Sequence, residues 1–189
     1  MTTKQNNIRG ILSDHPIIPV VTFNDLREID PLIEKLLAMG IHCIEITLRT
    51  KIAFDAVRAA KELHGNKIAI GVGTITHPDH ILTAEEIGVD FMVSPGLSDE
   101  LIQAFDACST AFIPGVATPS EIIRASQHGW DTFKFFPAHL FGGAEALKAY
   151  GQLFPHVKFC PTGGINESTY TAYSELNNVI SVGGSWMVK

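Results

Sequence analysis

A chain of 189 residues has the volume for one well-cored domain and little room for two, so residues 1–189 are expected to form a single unit. Its composition, 46% hydrophobic and 18% charged with a formal net charge of −6, fits a globular protein and disfavours nucleic acid as the main partner. No apolar run approaches the ~18–20 residues that a bilayer span requires. The polar stretch Met1–Gly10 also lacks the apolar core of an export signal, so a cytoplasmic location is expected.

In chain order, short β-branched runs alternate with amphipathic stretches. Strands are predicted over Ile17–Phe23, Cys43–Leu48, Lys67–Gly73, Phe91–Pro95, Ala111–Val116, Thr132–Pro137, Lys158–Thr162 and Val179–Gly183. Helices are predicted over Leu26–Met39, Ala53–Leu63, Pro78–Ile87, Asp99–Ala107, Pro119–His128, Ala144–Tyr150 and Glu167–Leu176. Helix starts are marked by Asn24 and Asp25, Thr76, Ser98, Thr118 and Asn166, and helix ends by Gly40, Gly88 and Gly129. Strand–helix alternation implies a parallel sheet, and this spacing fits a (β/α)8 barrel; a doubly wound open sheet is the structural alternative. After the eighth strand the chain reaches Lys189 with no eighth helix, so a barrel lacking its last C-terminal helix is expected. Residues Ile8–Ser13 could form a short helix under the barrel floor, and a neighbouring subunit could cover the open groove.

Cys43, Cys108 and Cys160 are odd in number, and two of them lie in strand-like runs. They are expected to be buried thiols rather than a disulfide framework. His77 and His80 form the one close histidine pair and lack a third ligand nearby, so no metal site is expected there.

The catalytic end of a parallel barrel is the C-terminal end of its strands. In the second predicted strand a period of two puts Glu45, Thr47 and Arg49 on one face, opposite Ile44, Ile46 and Leu48. The apolar face belongs against helices, so the charged face points inward, where burial is costly unless the charges are paired or used. An internal Glu–Arg salt bridge of purely structural purpose is the alternative. The sixth predicted strand places Lys134 between phenylalanines, in phase with Thr132 and Phe136. Burial and a nearby cation such as Arg49 both favour the neutral amine that a Schiff base requires. The bland account is a lysine that snorkels outward along the aromatics. Gly163 and Gly164 follow Thr162 at the seventh strand end, and Gly183, Gly184 and Ser185 end the eighth, a pairing that suits a phosphate held by backbone N–H groups. Gly71-Val72-Gly73-Thr74 adds a hydroxyl at the mouth but lacks the spacing of a dinucleotide fingerprint.

These strings, from Ile18-Pro19-Val20-Val21 through Glu45-Ile46-Thr47-Leu48-Arg49-Thr50, Val93-Ser94-Pro95-Gly96-Leu97, Phe112-Ile113-Pro114-Gly115-Val116, Phe133-Lys134-Phe135-Phe136-Pro137-Ala138 and Thr162-Gly163-Gly164-Ile165 to Gly183-Gly184-Ser185-Trp186, run almost the whole chain. Together they resemble the 2-keto-3-deoxy-6-phosphogluconate (KDPG) aldolase / 4-hydroxy-2-oxoglutarate (KHG) aldolase family. The resemblance implies a trimeric, metal-free class I aldolase with no cofactor, a lyase that cleaves KDPG to pyruvate and glyceraldehyde 3-phosphate, or KHG to pyruvate and glyoxylate. It implies Lys134 as the Schiff-base amine and Glu45 as general acid/base. Arg49 and Thr74 match the groups on the substrate carboxylate, Pro95 and Phe136 the pocket lining, and Thr162 a substrate contact of the phosphogluconate type. Gly163, Gly164, Gly184 and Ser185 match the phosphate and distal-hydroxyl site. The departure is at the end, since such proteins usually continue past Gly-Gly-Ser-Trp into a final helix. A barrel isomerase or decarboxylase acting on a phosphorylated sugar, and a non-catalytic barrel that binds a phosphorylated sugar acid, are the competing functions; neither needs a buried lysine.

Overall fold

Residues 3–188 are described by a computed structural model. The chain opens with α1 (Thr3–Asp14), well beyond the expected Ile8–Ser13. Its first residues, Thr3-Lys4-Gln5-Asn6-Asn7, carry no apolar periodicity and are held by tertiary bonds. Lys4 Nζ donates to the carbonyls of Phe105, Asp106 and Cys108, and Gln5 Oε1 accepts from the backbone of Asp131 and Thr132. Arg9 donates to Thr132 Oγ1 and to the His156 carbonyl.

There follow β1 (Ile17–Val21), a 3-10 turn (Leu26–Glu28), α2 (Ile29–Ala38), β2 (Cys43–Thr47), α3 (Ala53–His64), β3 (Ala69–Gly73), α4 (Pro78–Ile87), β4 (Phe91–Val93) and α5 (Asp99–Ala107). The second half runs β5 (Ala111–Ile113), β6 (Gly115–Val116), α6 (Pro119–Ser126), β7 (Thr132–Phe135), a 3-10 turn (Ala138–Phe141), α7 (Gly143–Leu153), β8 (Lys158–Pro161), α8 (Glu167–Ser174), β9 (Val182–Gly184) and a 3-10 turn (Trp186–Val188).

Every strand pairing among the described residues is parallel: one sheet runs β5-β4-β3-β2-β1-β9 and a second β6-β7-β8, an α/β fold with a parallel half-barrel. The expected strand Ala111–Val116 is split at Pro114. Proline has no N–H for a ladder, but its carbonyl still accepts from Lys134 N at 3.0 Å, so β5 bonds one neighbour and β6 the other. Single parallel bridges join Phe159 to Val179 and Thr162 to Gly183. The last strand sits later than expected, at Val182–Gly184.

The period of two sorts the strands into two cores. Outward residues such as Ile44, Ile46, Ile70, Val72, Phe112, Phe133, Phe135 and Phe159 pack against helices in one continuous cluster. Inward residues Ile18, Cys43, Phe91, Val93, Ala111, Ile113 and Cys160 form a smaller one, closed by Ile8 and Leu12 of α1. That helix stoppers the end of the sheet where strands begin and leaves the opposite end for the site.

Most caps follow the sequence, although Asn24 caps no helix and α2 starts after Glu28 without a side-chain cap. Asp25 caps the 3-10 turn, Ser98 accepts from Leu101 N, and Thr118 and Asn166 form capping boxes with Glu121 and Thr169. Thr76 does not cap α4. His77 does, its Nδ1 accepting from Asp79 N at 3.2 Å, because Pro78 fills the first helical position and sets the cap one residue later. All three cysteines are free and buried, and burial pushes the Cys108 thiol up to about 11, Cys160 up to about 12 and Cys43 upward too. No helix among the described residues is long and apolar enough to cross a membrane.

Candidate active site

β7 alternates Phe133 and Phe135 into the helix-facing core with Lys134 to the interior, the phase expected from the sequence. Lys134 Nζ lies 3.0 Å from Glu45 Oε1 and 3.2 Å from Oε2, with the two side chains 5% and 6% exposed. The lysine therefore does not snorkel outward, and the buried partner of Glu45 is Lys134 rather than Arg49. Desolvating both charges is costly, and their contact at hydrogen-bond distance from both carboxylate oxygens offsets part of it. The Phe136 ring, its centroid 5.1 Å from Nζ, adds a cation–π contact while the amine is charged.

The neighbouring strand makes room for this pair. A Cβ on Gly73 would fall on the Glu45 carboxyl group, 2.6 Å from Cδ and 2.7 Å from Cγ, and a Cβ on Gly71 would run into the Phe91 ring. Thr74, next in line, has φ +66°, a left-handed backbone that β-branched residues adopt rarely and at a cost of roughly 1–3 kcal/mol. Strain of that kind persists where the surroundings impose it, here at the end of β3 beside the buried pair.

Above the pair opens a cavity of about 320 Å³ lined by Val20, Thr22, Arg49, Phe136, Thr162, Gly163, Gly164, Ile165, Gly184, Ser185 and Val188. Seven of the sequence-predicted residues meet there: Arg49, Phe136, Thr162, Gly163, Gly164, Gly184 and Ser185. Lys134 lies two residues before Phe136 on the same strand, deeper than the lining. Thr74 and Pro95 stand at the ends of β3 and β4 and do not line this cavity; Pro95 packs its backbone against Gly115. Arg49 is exposed and makes no hydrogen bond or ion pair among the described residues, leaving its guanidinium free for an anion. Gly163 and Gly164 have φ +99° and +72°, conformations that turn the loop after β8 toward the cavity without the penalty a side chain would bring. A Cβ on Gly183 would strike Thr162 Oγ1, so the bare backbone of β9 also keeps that hydroxyl in place.

Sequence reasoning did not single out Thr22, Val20, Ile165 or Val188. The first two were detectable, since Ile18, Val20 and Thr22 share the inward phase of β1. The others depend on how the ends of β8 and β9 converge.

The one histidine–carboxylate cluster with metal-ligand spacing among the described residues is Asp30, Glu34 and His64, which sequence spacing did not reveal. It lies between α2 and α3, with His64 Nε2 2.9 Å from Asp30 and Lys67 Nζ 3.2 Å from Glu34. A lysine on the same carboxylate fits an ion-pair network that ties two helices together better than a cation site.

A family model described as KDPG and KHG aldolase matches residues 8–189. The chain belongs to the KDPG and KHG aldolase family. The KHG/KDPG aldolase of Escherichia coli (strain K12) is 39% identical over 189 residues, covering 100% of this chain and 88% of the relative. The 2-dehydro-3-deoxy-phosphogluconate aldolase of Pseudomonas aeruginosa is 41% identical over 185 residues, 98% of this chain and 84% of the relative. Among solved structures, the KDPG aldolase of Legionella pneumophila, with pyruvate captured as a covalent carbinolamine, superposes with a TM-score of 0.91 at 42% identity, covering 94% of this chain and 86% of that one. The Zymomonas mobilis ATCC 29191 KDPG aldolase gives a TM-score of 0.92 at 38% identity, with coverages of 96% and 87%. Like these relatives, this chain is an aldolase, a lyase.

Proposed function

We propose that this aldolase cleaves KDPG to pyruvate and glyceraldehyde 3-phosphate, KHG to pyruvate and glyoxylate, or both, through a Schiff base on Lys134. The observation that carries the assignment is the buried contact of Lys134 Nζ with the Glu45 carboxylate at the foot of an anion-ready cavity. A barrel that only binds a sugar acid has no use for that pair and is not favoured.

The geometry suits the chemistry step by step. Transfer of a proton from the Lys134 ammonium to Glu45, already 3.0 Å away, frees the amine. Nζ then attacks the C2 ketone, and Glu45 returns its proton to the carbinolamine hydroxyl, which leaves as water; the product is an iminium, the electron sink, beside a carboxylate again able to act as base. Glu45 removes the C4 hydroxyl proton, the C3–C4 bond breaks, and its electrons move into the enamine as the aldehyde departs. Protonation of the enamine at C3, with Glu45 as donor, and hydrolysis of the iminium release pyruvate and regenerate the amine. Arg49 and Thr74 hold the substrate carboxylate, Pro95 and Phe136 wall the pyruvyl end, Thr162 contacts the substrate, and Gly163, Gly164, Gly184 and Ser185 receive the phosphate and distal-hydroxyl end.

Borohydride reduction in the presence of pyruvate should fix a stable adduct on the peptide containing Lys134; an unmodified peptide would remove the covalent mechanism. Ser185→Ala should raise KM for KDPG about tenfold or more while changing KM for KHG little, since the loss of a hydrogen bond to a charged phosphate is worth about 1.5–3 kcal/mol. Equal effects on both substrates would argue against the phosphate placement.

The bridge from Thr162 to Gly183 and the continuation of β5 into β6 across Pro114 support closure of both sheets into one (β/α)8 barrel, in which a 3-10 turn and no α-helix follows the last strand among the described residues. Exposed Leu140 and Phe141 supply apolar surface suited to a homotrimer, checked by light scattering. Three unpaired buried thiols suit a reducing, cytoplasmic setting.

A further inference from the structure

Thr22 and Thr47 form a hydroxyl pair in the mouth that the mechanism above does not use. Their Oγ1 atoms are 2.7 Å apart, and either could be the donor. The surroundings decide between the two arrangements. Thr47 is fully buried, and its hydroxyl has no other hydrogen-bond partner among the described residues, so an O–H pointing anywhere but at Thr22 would be stranded. Thr22 is exposed and lines the cavity. The arrangement without a buried orphan has Thr47 donating and Thr22 accepting, which leaves the Thr22 O–H aimed away from Thr47 and free to donate into the cavity.

Strand order fixes which part of a ligand meets that donor. β1 lies between β2 and β9, with Val20 opposite Glu45 and Pro19 opposite Gly184. Thr22, two residues past Val20, therefore stands between Arg49 at the end of β2 and Ser185 at the end of β9. With the carboxylate at Arg49 and the phosphate at Ser185, the oxygens between them are those of the carbons past the scissile bond. We propose that Thr22, held by Thr47, is a specificity-determining residue that donates a hydrogen bond to the C5 hydroxyl oxygen of the phosphorylated substrate. KHG carries a carboxylate at that carbon, and it lacks the phosphate whose anchoring at Ser185 would hold the C5 oxygen beside Thr22. The proposal rests on the aldolase assignment and adds to it the residue that favours the longer substrate.

The test compares wild type, Thr22→Val, which keeps the shape and removes the O–H, and Thr22→Ser, which restores it. kcat/KM is measured for KDPG and for KHG, with borohydride trapping of pyruvate at Lys134 run on each protein. Thr22→Val is expected to lower kcat/KM for KDPG about three- to tenfold, at least threefold more than for KHG, and Thr22→Ser to recover most of the difference. Loss of equal size on both substrates, loss on neither, or failure of serine to rescue overturns the role of Thr22. Failure of wild type to trap pyruvate overturns the aldolase mechanism instead, so the two failures are told apart.

Discussion

Replacing Lys134 with methionine should abolish both borohydride trapping and turnover, with kcat falling by at least about four orders of magnitude, because Lys134 is the one buried lysine among the described residues. The same change should destabilise the protein. Glu45 is 4% exposed and its carboxylate is bonded to Lys134 Nζ, so the variant leaves a buried carboxylate without its counter-charge. Removing one member of a buried pair typically costs about 3–5 kcal/mol. Adding Glu45→Leu to Lys134→Met should recover most of that loss in a denaturant melt while leaving the enzyme inactive. A single variant as stable as wild type would mean that the pair is better solvated than its burial indicates. Residual turnover with trapping at another lysine would relocate the nucleophile.

Gly73→Ala is expected to be nearly as damaging without touching a reacting group. The added methyl would occupy the space of the Glu45 carboxyl group, 2.6 Å from Cδ, and the carboxylate must swing aside. A displacement on the order of 1 Å costs roughly 100-fold in rate for a group that has to meet a particular proton. kcat should therefore fall about 100-fold, and overpacking should cost about 1–3 kcal/mol of stability. Trapping of pyruvate should persist, more slowly, because Lys134 is still present. This split, with the covalent step retained and turnover lost, would place Glu45 in the proton transfers. Unchanged kcat in Gly73→Ala would show that Glu45 needs no fixed position.

Much of the site was legible because strand periodicity is a strict constraint. Once Phe133 and Phe135 are assigned to the helix-facing side, Lys134 has to point inward, and the same reasoning applies to Glu45 against Ile44 and Ile46. The glycine pairs after Thr162 and at Gly183–Gly184 were legible as close-approach positions. Three features were not. The first turn of α1, with Lys4 and Gln5, is held by backbone carbonyl and N–H groups more than 100 residues away, so no local pattern announces it. His77 displaced Thr76 as a cap because Pro78 sets the first turn. The cluster of Asp30, Glu34 and His64 joins two helices that only tertiary packing brings together.

By itself the sequence determined the alternation of parallel strands and helices, the inward phase of Lys134 and Glu45, and the family to which these motifs point. Each follows from short-range rules: a period of two, caps, and glycine where a side chain would collide. The tertiary structure alone decided that Lys134 pairs with Glu45 rather than leaving that carboxylate to Arg49, which stays free at the mouth. It also decided that α1 closes one end of the sheet, and that Thr22 stands between Arg49 and Ser185 in the lining of the cavity. Those facts depend on which strand lies beside which and on how far each side chain reaches across the interior. Residues 89 positions apart, as Glu45 and Lys134 are, meet only when the sheet curves.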